Sequence, residues 1–67
     1  MNSNINRIKV VLAEKRKTNK WLAEAIGKDR TTVSRWCNNH VQPSLEMLDK
    51  IAKLLDVNIQ ELLIRSK

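Results

Sequence analysis

Apolar residues recur at helical spacing near the start of the chain. Ile5, Ile8 and Leu12 lie at i, i+3 and i+7, and Val11 widens the same stripe. Such a stripe is typical of an amphipathic helix that buries one face. The pattern predicts a first helix over about residues 5–16.

Two further apolar stripes flank the one glycine of the chain. Leu22 and Ile26 are four residues apart, and Val33 and Trp36 are three apart, so each pair lies on one face of a helix. Gly27 separates them and can adopt the positive φ that a sharp turn needs. We predict helices over about residues 18–26 and 30–38 that pack across a tight turn, with Asp29 capping the second one.

The last third of the chain predicts two more helices. Asparagines and a proline mark residues 38–43 as a loop. Ser44 then caps a fourth helix with a long apolar face, and Asn58 with Glu61 resembles a capping box that begins a fifth. The apolar positions of these two helices are Leu45, Leu48, Ile51, Ala52 and Leu55, then Ile59, Leu62 and Leu63. The predicted fold is all-α, a compact bundle of five short helices without strands.

The stretch from residue 19 to 38 resembles the helix-turn-helix of the Cro and lambda-type repressor family. The family's spacing of a polar residue, Leu-Ala and Gly is met by Asn19, Leu22, Ala23 and Gly27. The likeness covers about residues 5–63, with departures at Lys28 and Cys37. It implies a lambda-repressor-like DNA-binding domain over residues 1–67, with its helix-turn-helix at about 18–38, in a small bacterial or phage transcriptional regulator.

The third helix is the candidate for reading base edges, because a major groove accommodates one α-helix. Val33 and Trp36 are needed by the core and Asp29 by the cap. Either arginine of the remaining face could bind a guanine with two hydrogen bonds. The residues predicted to read bases, as the resemblance also implies, are Arg30, Thr31, Ser34 and Arg35.

Phosphate contacts are expected on both sides of that helix. Asn19 at the start of the second helix can offer its amide beside free backbone N–H groups, although it could equally serve as a helix cap. Asn38 and Asn39 could likewise contact phosphate or only end the third helix. The predicted phosphate-contacting set is Thr18, Asn19, Lys20, Thr32, Asn38, Asn39 and His40.

The end of the chain carries more apolar residues than a small core obviously needs. Single exposed apolar residues are normal, yet the resemblance favours a homodimer that uses the fifth helix. The predicted interface is Ile59, Leu62, Leu63 and Ile64. An alternative is an antitoxin-like or protein-interaction module whose fifth helix binds another protein, with DNA binding secondary.

The distribution of charged residues along the chain favours a nucleic-acid partner. Residues 1–40 carry nine Lys or Arg against three acidic residues, whereas residues 41–67 carry four of each sign. The whole net charge of +6 therefore lies in the half with the helix-turn-helix. A basic surface that only keeps the protein soluble is the alternative, and the coincidence with the motif favours binding to double-stranded DNA.

Other chemistry finds little support in the composition. Cys37 and His40 have no partners that would complete a metal or catalytic site, so we predict no enzyme, no metal and no cofactor. Trp36 belongs to the apolar stripe that enters the core. Trp21 is predicted to lie at the edge of the core, and the alternative for Trp21 is stacking on a nucleic-acid base. One cysteine, no apolar leader and no long apolar run indicate a cytoplasmic protein without a membrane partner or an evident small-molecule ligand. The resemblance implies a bacterial, phage or plasmid origin.

Overall fold

The computed structural model describes residues 5–64 and shows an all-helical bundle over them. Four α-helices follow one another: α1 (Ile8–Glu14), α2 (Asn19–Ile26), α3 (Arg30–Cys37) and α4 (Leu45–Leu55). A single 3-10 turn (Ile59–Leu62) completes the order. The all-α prediction is confirmed, as are the second, third and fourth helices to within a residue or two.

The core lies where the apolar stripes of all these elements meet. Packing joins α2 to both α3 and α4, α1 to α3, and the 3-10 turn to both α1 and α4. The prediction that Trp36 lies in the core is confirmed, because only 7% of its surface is exposed. The buried apolar residues are Ile8, Val11, Leu12, Leu22, Ala23, Ile26, Val33, Trp36, Cys37, Leu48, Ile51, Ala52, Leu55 and Leu62.

The first helix begins three residues later than the pattern predicted. Ile5 lies outside it, with 49% of its surface exposed, and Asn6 forms an antiparallel bridge with Leu63. The Asn6 side chain accepts a hydrogen bond from the N–H of Ile8 at 3.1 Å, a local bond that competes with helical pairing. The segment before α1 is therefore not helical, and it pairs with residues 62–64 instead.

The predicted fifth helix is one turn of 3-10 helix. The Glu61 half of the predicted capping box is present, because the N–H of Asn58 donates to Glu61 Oε2 at 2.9 Å. Beyond the turn, Leu63 is extended. The chain then pairs with the N-terminal segment through the N–H of Arg7 to the carbonyl of Leu62 and the N–H of Ile64 to the carbonyl of Ile5, both at 2.8 Å. This pairing ends the helix after four residues.

Candidate nucleic-acid interface

A tight turn at Gly27 sets α3 against α2. Gly27 has φ 74°, in the left-handed region, and its N–H donates to the carbonyl of Ala23. The N–H of Lys28 donates to the same carbonyl at 3.0 Å. Both bonds satisfy a carbonyl in the last turn of α2, and the helix ends there. Helix α3 begins three residues after Gly27.

Asp29 caps α3, as its position predicted. Its Oδ1 accepts a hydrogen bond from the N–H of Thr32 at 2.8 Å. Hydrogen bonding from the Thr32 side chain and backbone lowers the pKa of this carboxyl, with smaller contributions from the charges of Arg35 and Lys28. The carboxylate is thus held ionised at the N-terminus of the helix, where a negative charge is stabilising.

Helix α3 has a buried face and an outer face. Val33, Trp36 and Cys37 enter the core, whereas the predicted base-reading residues lie outside it. Arg30, Thr31 and Arg35 are exposed, and Ser34 is half-buried. These four side chains, together with Asn19 at the start of α2, line one shallow concavity of about 340 Å³. The structure brings the predicted base-reading set together on one surface.

The arginines of this surface are not neutralised by ion pairs. Over residues 5–64 the ion pairs join Arg7 with Glu14 at 4.0 Å and Lys53 with Asp49 at 3.0 Å. Neither pair involves α3. Two guanidinium groups thus remain available to a negatively charged or acceptor-rich partner.

The predicted phosphate-contacting residues lie at the two ends of the surface. At the start of α2, Thr18 caps the helix by accepting from the N–H of Trp21 at 3.0 Å, and Lys20 is exposed. Beyond the end of α3, Asn38 and His40 are also exposed. Thr32, on the flank of α3, is half-buried.

Asn39 differs from its neighbours because its side chain is engaged within the protein. Its Oδ1 accepts from the N–H groups of Ile5 and Asn6, both at 2.9 Å, and from Gln42 at 3.1 Å. Its Nδ2 donates to the carbonyl of Asn6 at 3.1 Å. We therefore remove the Asn39 amide from the set proposed for phosphate contact.

The predicted dimer residues differ widely in exposure. Leu62 is fully buried in the chain's own core, so it has no surface to offer to a second copy, and we correct its assignment. Ile59 and Leu63 are half-buried. Ile64 is 43% exposed and adjoins two further exposed residues: it pairs with Ile5 and lines a concavity with Val10.

Two contacts at the start of α2 were not predicted. Lys17 Nζ lies 4.8 Å from the centroid of the half-buried Trp21 ring, which places a positive charge one turn before Trp21. Cys37 Sγ lies 3.3 Å from Asn19 Oδ1. The i, i+4 spacing of Lys17 and Trp21 could have indicated the first contact, whereas the second joins residues 18 positions apart and has no local signal.

The chemistry at Cys37 is that of a buried thiol. Cys37 is 5% exposed, and burial raises the pKa of its thiol, with an opposing contribution from the charge of Lys9. A raised pKa lowers the thiolate fraction that a nucleophile or metal ligand needs. Within residues 5–64 no three His, Cys, Asp or Glu side chains gather as metal ligands would. Over the same range, no helix has the length and apolar character to span a bilayer.

Comparisons with known proteins found a matching family and a similar solved structure. The family model for the Cro/C1-type HTH DNA-binding domain matches residues 7–67. A solved structure described as that of "a putative DNA-binding protein from Bacteroides fragilis" is 60% identical, covers 90% of this chain and 97% of its own, and superposes with a TM-score of 0.89. A search of curated proteins found no match.

Proposed function

Because the chain belongs to the Cro/C1-type helix-turn-helix DNA-binding domain family, we propose that it is a sequence-specific transcriptional regulator that binds double-stranded DNA. The observation that carries the proposal is the single outer surface of α3, where Arg30, Thr31, Ser34 and Arg35 line one concavity beside the start of α2. The net positive charge of the chain lies in the same half. A bacterial, phage or plasmid regulator would act in the cytoplasm, where its DNA is.

In this proposal α3 enters the major groove with its outer face toward the bases. Arg30 or Arg35 binds O6 and N7 of a guanine, and each such pair contributes about 1–3 kcal/mol of discrimination. Thr31 and Ser34 can donate or accept and so contribute weaker preferences. Thr18, Asn19 and Lys20 hold one phosphate backbone, while Thr32, Asn38 and His40 contact the other.

Variants of the outer face test this orientation. On a duplex obtained by binding-site selection, Arg30→Ala and Arg35→Ala should reduce the preference for the selected sequence over a shuffled one. Lys20→Ala should weaken both duplexes alike, because phosphate contacts carry no sequence information. Lys53→Ala on α4 is the matched control. Arginine variants that kept the full preference would show that another face of α3 meets the bases.

We propose further that two copies bind together. The exposed residues Ile5, Val10 and Ile64, with the half-buried Leu63, give an apolar surface at the paired chain segments. A symmetric dimer places two copies of α3 in successive major grooves, about 34 Å apart, so the site should be an imperfect palindrome.

The same apolar surface would also suit a different protein, which is the second candidate function. Sizing of the pure protein separates the two. A dimer that Ile64→Lys converts to monomer, with Leu54→Lys on α4 as the control, supports self-association. A monomer at all concentrations, with a different protein co-purifying through Ile64, would favour the interaction module.

A further inference from the structure

A contact between the ends of two helices bears directly on the proposed DNA surface. Arg30, Ser34 and Cys37 lie at i, i+4 and i+7, so they form one ridge along α3. Asn19 lies against this ridge: it lines the concavity with Arg30 and Ser34, and its Oδ1 is 3.3 Å from Cys37 Sγ. The thiol reaches the carboxamide from the core side.

Cys37 is the donor in this contact. Burial raises the pKa of the thiol, so the proton stays on sulfur at neutral pH, and Oδ1 is the acceptor of the carboxamide. Within residues 5–64 this is the one hydrogen bond of the Asn19 side chain. With Oδ1 engaged, its two N–H groups remain as donors.

The position of Asn19 in the fold connects the orientation of its carboxamide to DNA binding. Asn19 is the first residue of α2, where the initial backbone N–H groups lack partners within the helix. Thr18 accepts from the N–H of Trp21, and among residues 5–64 the N–H groups of Asn19 and Lys20 have no acceptor. A carboxamide that presents N–H groups adds to this set of donors, whereas a flipped one would present its oxygen to a phosphate and repel it.

We propose, building on the function above, that Cys37 is a positioning residue of the DNA surface, which holds Asn19 so that its amide N–H groups face the phosphate backbone. Cys37 itself does not touch DNA, because it is buried. It acts by fixing the Asn19 side chain before DNA arrives, which removes part of the ordering cost of binding.

Removing the thiol should weaken DNA binding only through Asn19. Ordering one side chain on binding corresponds to about a two- to tenfold change in affinity, so we expect Cys37→Ala to raise Kd by about that factor. Cys37→Ser keeps a hydroxyl donor and should stay within about twofold of wild type. The variant Asn19→Ala should bind at least as weakly as Cys37→Ala, and the double variant no more weakly than Asn19→Ala.

Two further readouts separate positioning from damage to the fold. The dependence of affinity on salt should not change in Cys37→Ala, because Asn19 is neutral and releases no counterion. In the free protein, NMR should show one χ1 rotamer of Asn19 in wild type and Cys37→Ser, and an averaged side chain in Cys37→Ala. Val11→Ala, which removes buried volume from α1, is the control and should leave both readouts unchanged.

Each outcome decides a different claim. Losses from Cys37→Ala and Asn19→Ala that simply add, or an averaged Asn19 in the wild type, would overturn the positioning role and leave the proposed function standing. A wild-type protein without affinity for any duplex would overturn the proposed function, and this inference with it, whatever the NMR shows.

Discussion

The carboxamide of Asn39 joins two segments that are far apart in the chain. It binds the backbone of Ile5 and Asn6 and the side chain of Gln42. Asn6, 3% exposed, in turn donates to the carbonyl of Trp36 at 2.9 Å and to Gln42 at 2.7 Å. The end of α3 is thereby tied to the N-terminal segment, which itself pairs with residues 62–64. Asn39, which was predicted from the sequence to contact phosphate, thus stabilises the fold.

Asn39→Gly should destabilise the protein although glycine suits the backbone there. Asn39 has φ 61°, so glycine relieves backbone strain, but the N–H of the buried Asn6 loses its acceptor, which costs about 1–3 kcal/mol. Urea unfolding measures the change. Asp56→Gly, at φ 58°, is the control for the backbone effect and should not destabilise. Equal stabilities of the two variants would contradict the role given to the amide.

The cap at Asp29 predicts a specific dependence on pH. Its pKa is lowered in the folded protein from an ordinary value of 3.8, so ionised Asp29 favours folding above that value, and this contribution is lost as the pH falls through the lower folded-state pKa. The difference in unfolding free energy between wild type and Asp29→Asn should be constant near neutral pH and shrink below 3.8. Parallel curves down to the acid limit would contradict this cap.

The helices differ in how well local sequence determines them. Residues 18–55 were predicted well, because Thr18, Asp29 and Ser44 are residue types that favour N-caps, and each accepts a backbone hydrogen bond at the start of its helix. The two ends of the described chain were not, because residues 5–7 and 62–64 pair with each other across more than fifty positions. The outer face of α3 could be predicted from the sequence, because the residues needed by the core and the cap could be eliminated. The hydrogen bond from Cys37 to Asn19 could not be predicted, because it depends on how α2 and α3 pack together.

The turn between α2 and α3 can be tested at Gly27. A Cβ at this position would meet no atom within 4 Å, so the cost of Gly27→Ala comes from the left-handed backbone alone, about 1–2 kcal/mol. Gly27→Asn should cost less, since asparagine tolerates this conformation. Thermal and urea unfolding provide the comparison. A loss well above this size in both variants would mean that the turn is constrained by contacts rather than by backbone conformation.

At the scale of the whole molecule, one half of the chain carries the net positive charge and the proposed DNA surface, and the exposed apolar residues near the paired ends form the surface proposed for a second copy. The proposed phosphate contacts predict steep weakening of DNA binding with salt. Lys20→Gln should reduce the slope of log affinity against log salt by about 0.9, the value for one phosphate. Lys53→Gln, which removes a lysine paired with Asp49, should leave it unchanged. Equal salt slopes for wild type, Lys20→Gln and Lys53→Gln would show that Lys20 does not contact a phosphate.

Selection of binding sites from random duplexes tests the central claim most directly, because it reports sequence preference and site symmetry together. The account predicts enrichment of an imperfect palindrome whose half-sites are about 34 Å apart, with guanine positions whose enrichment is lost in Arg30→Ala or Arg35→Ala. Recovery of unenriched sequences, at an affinity that depends only on salt, would contradict it.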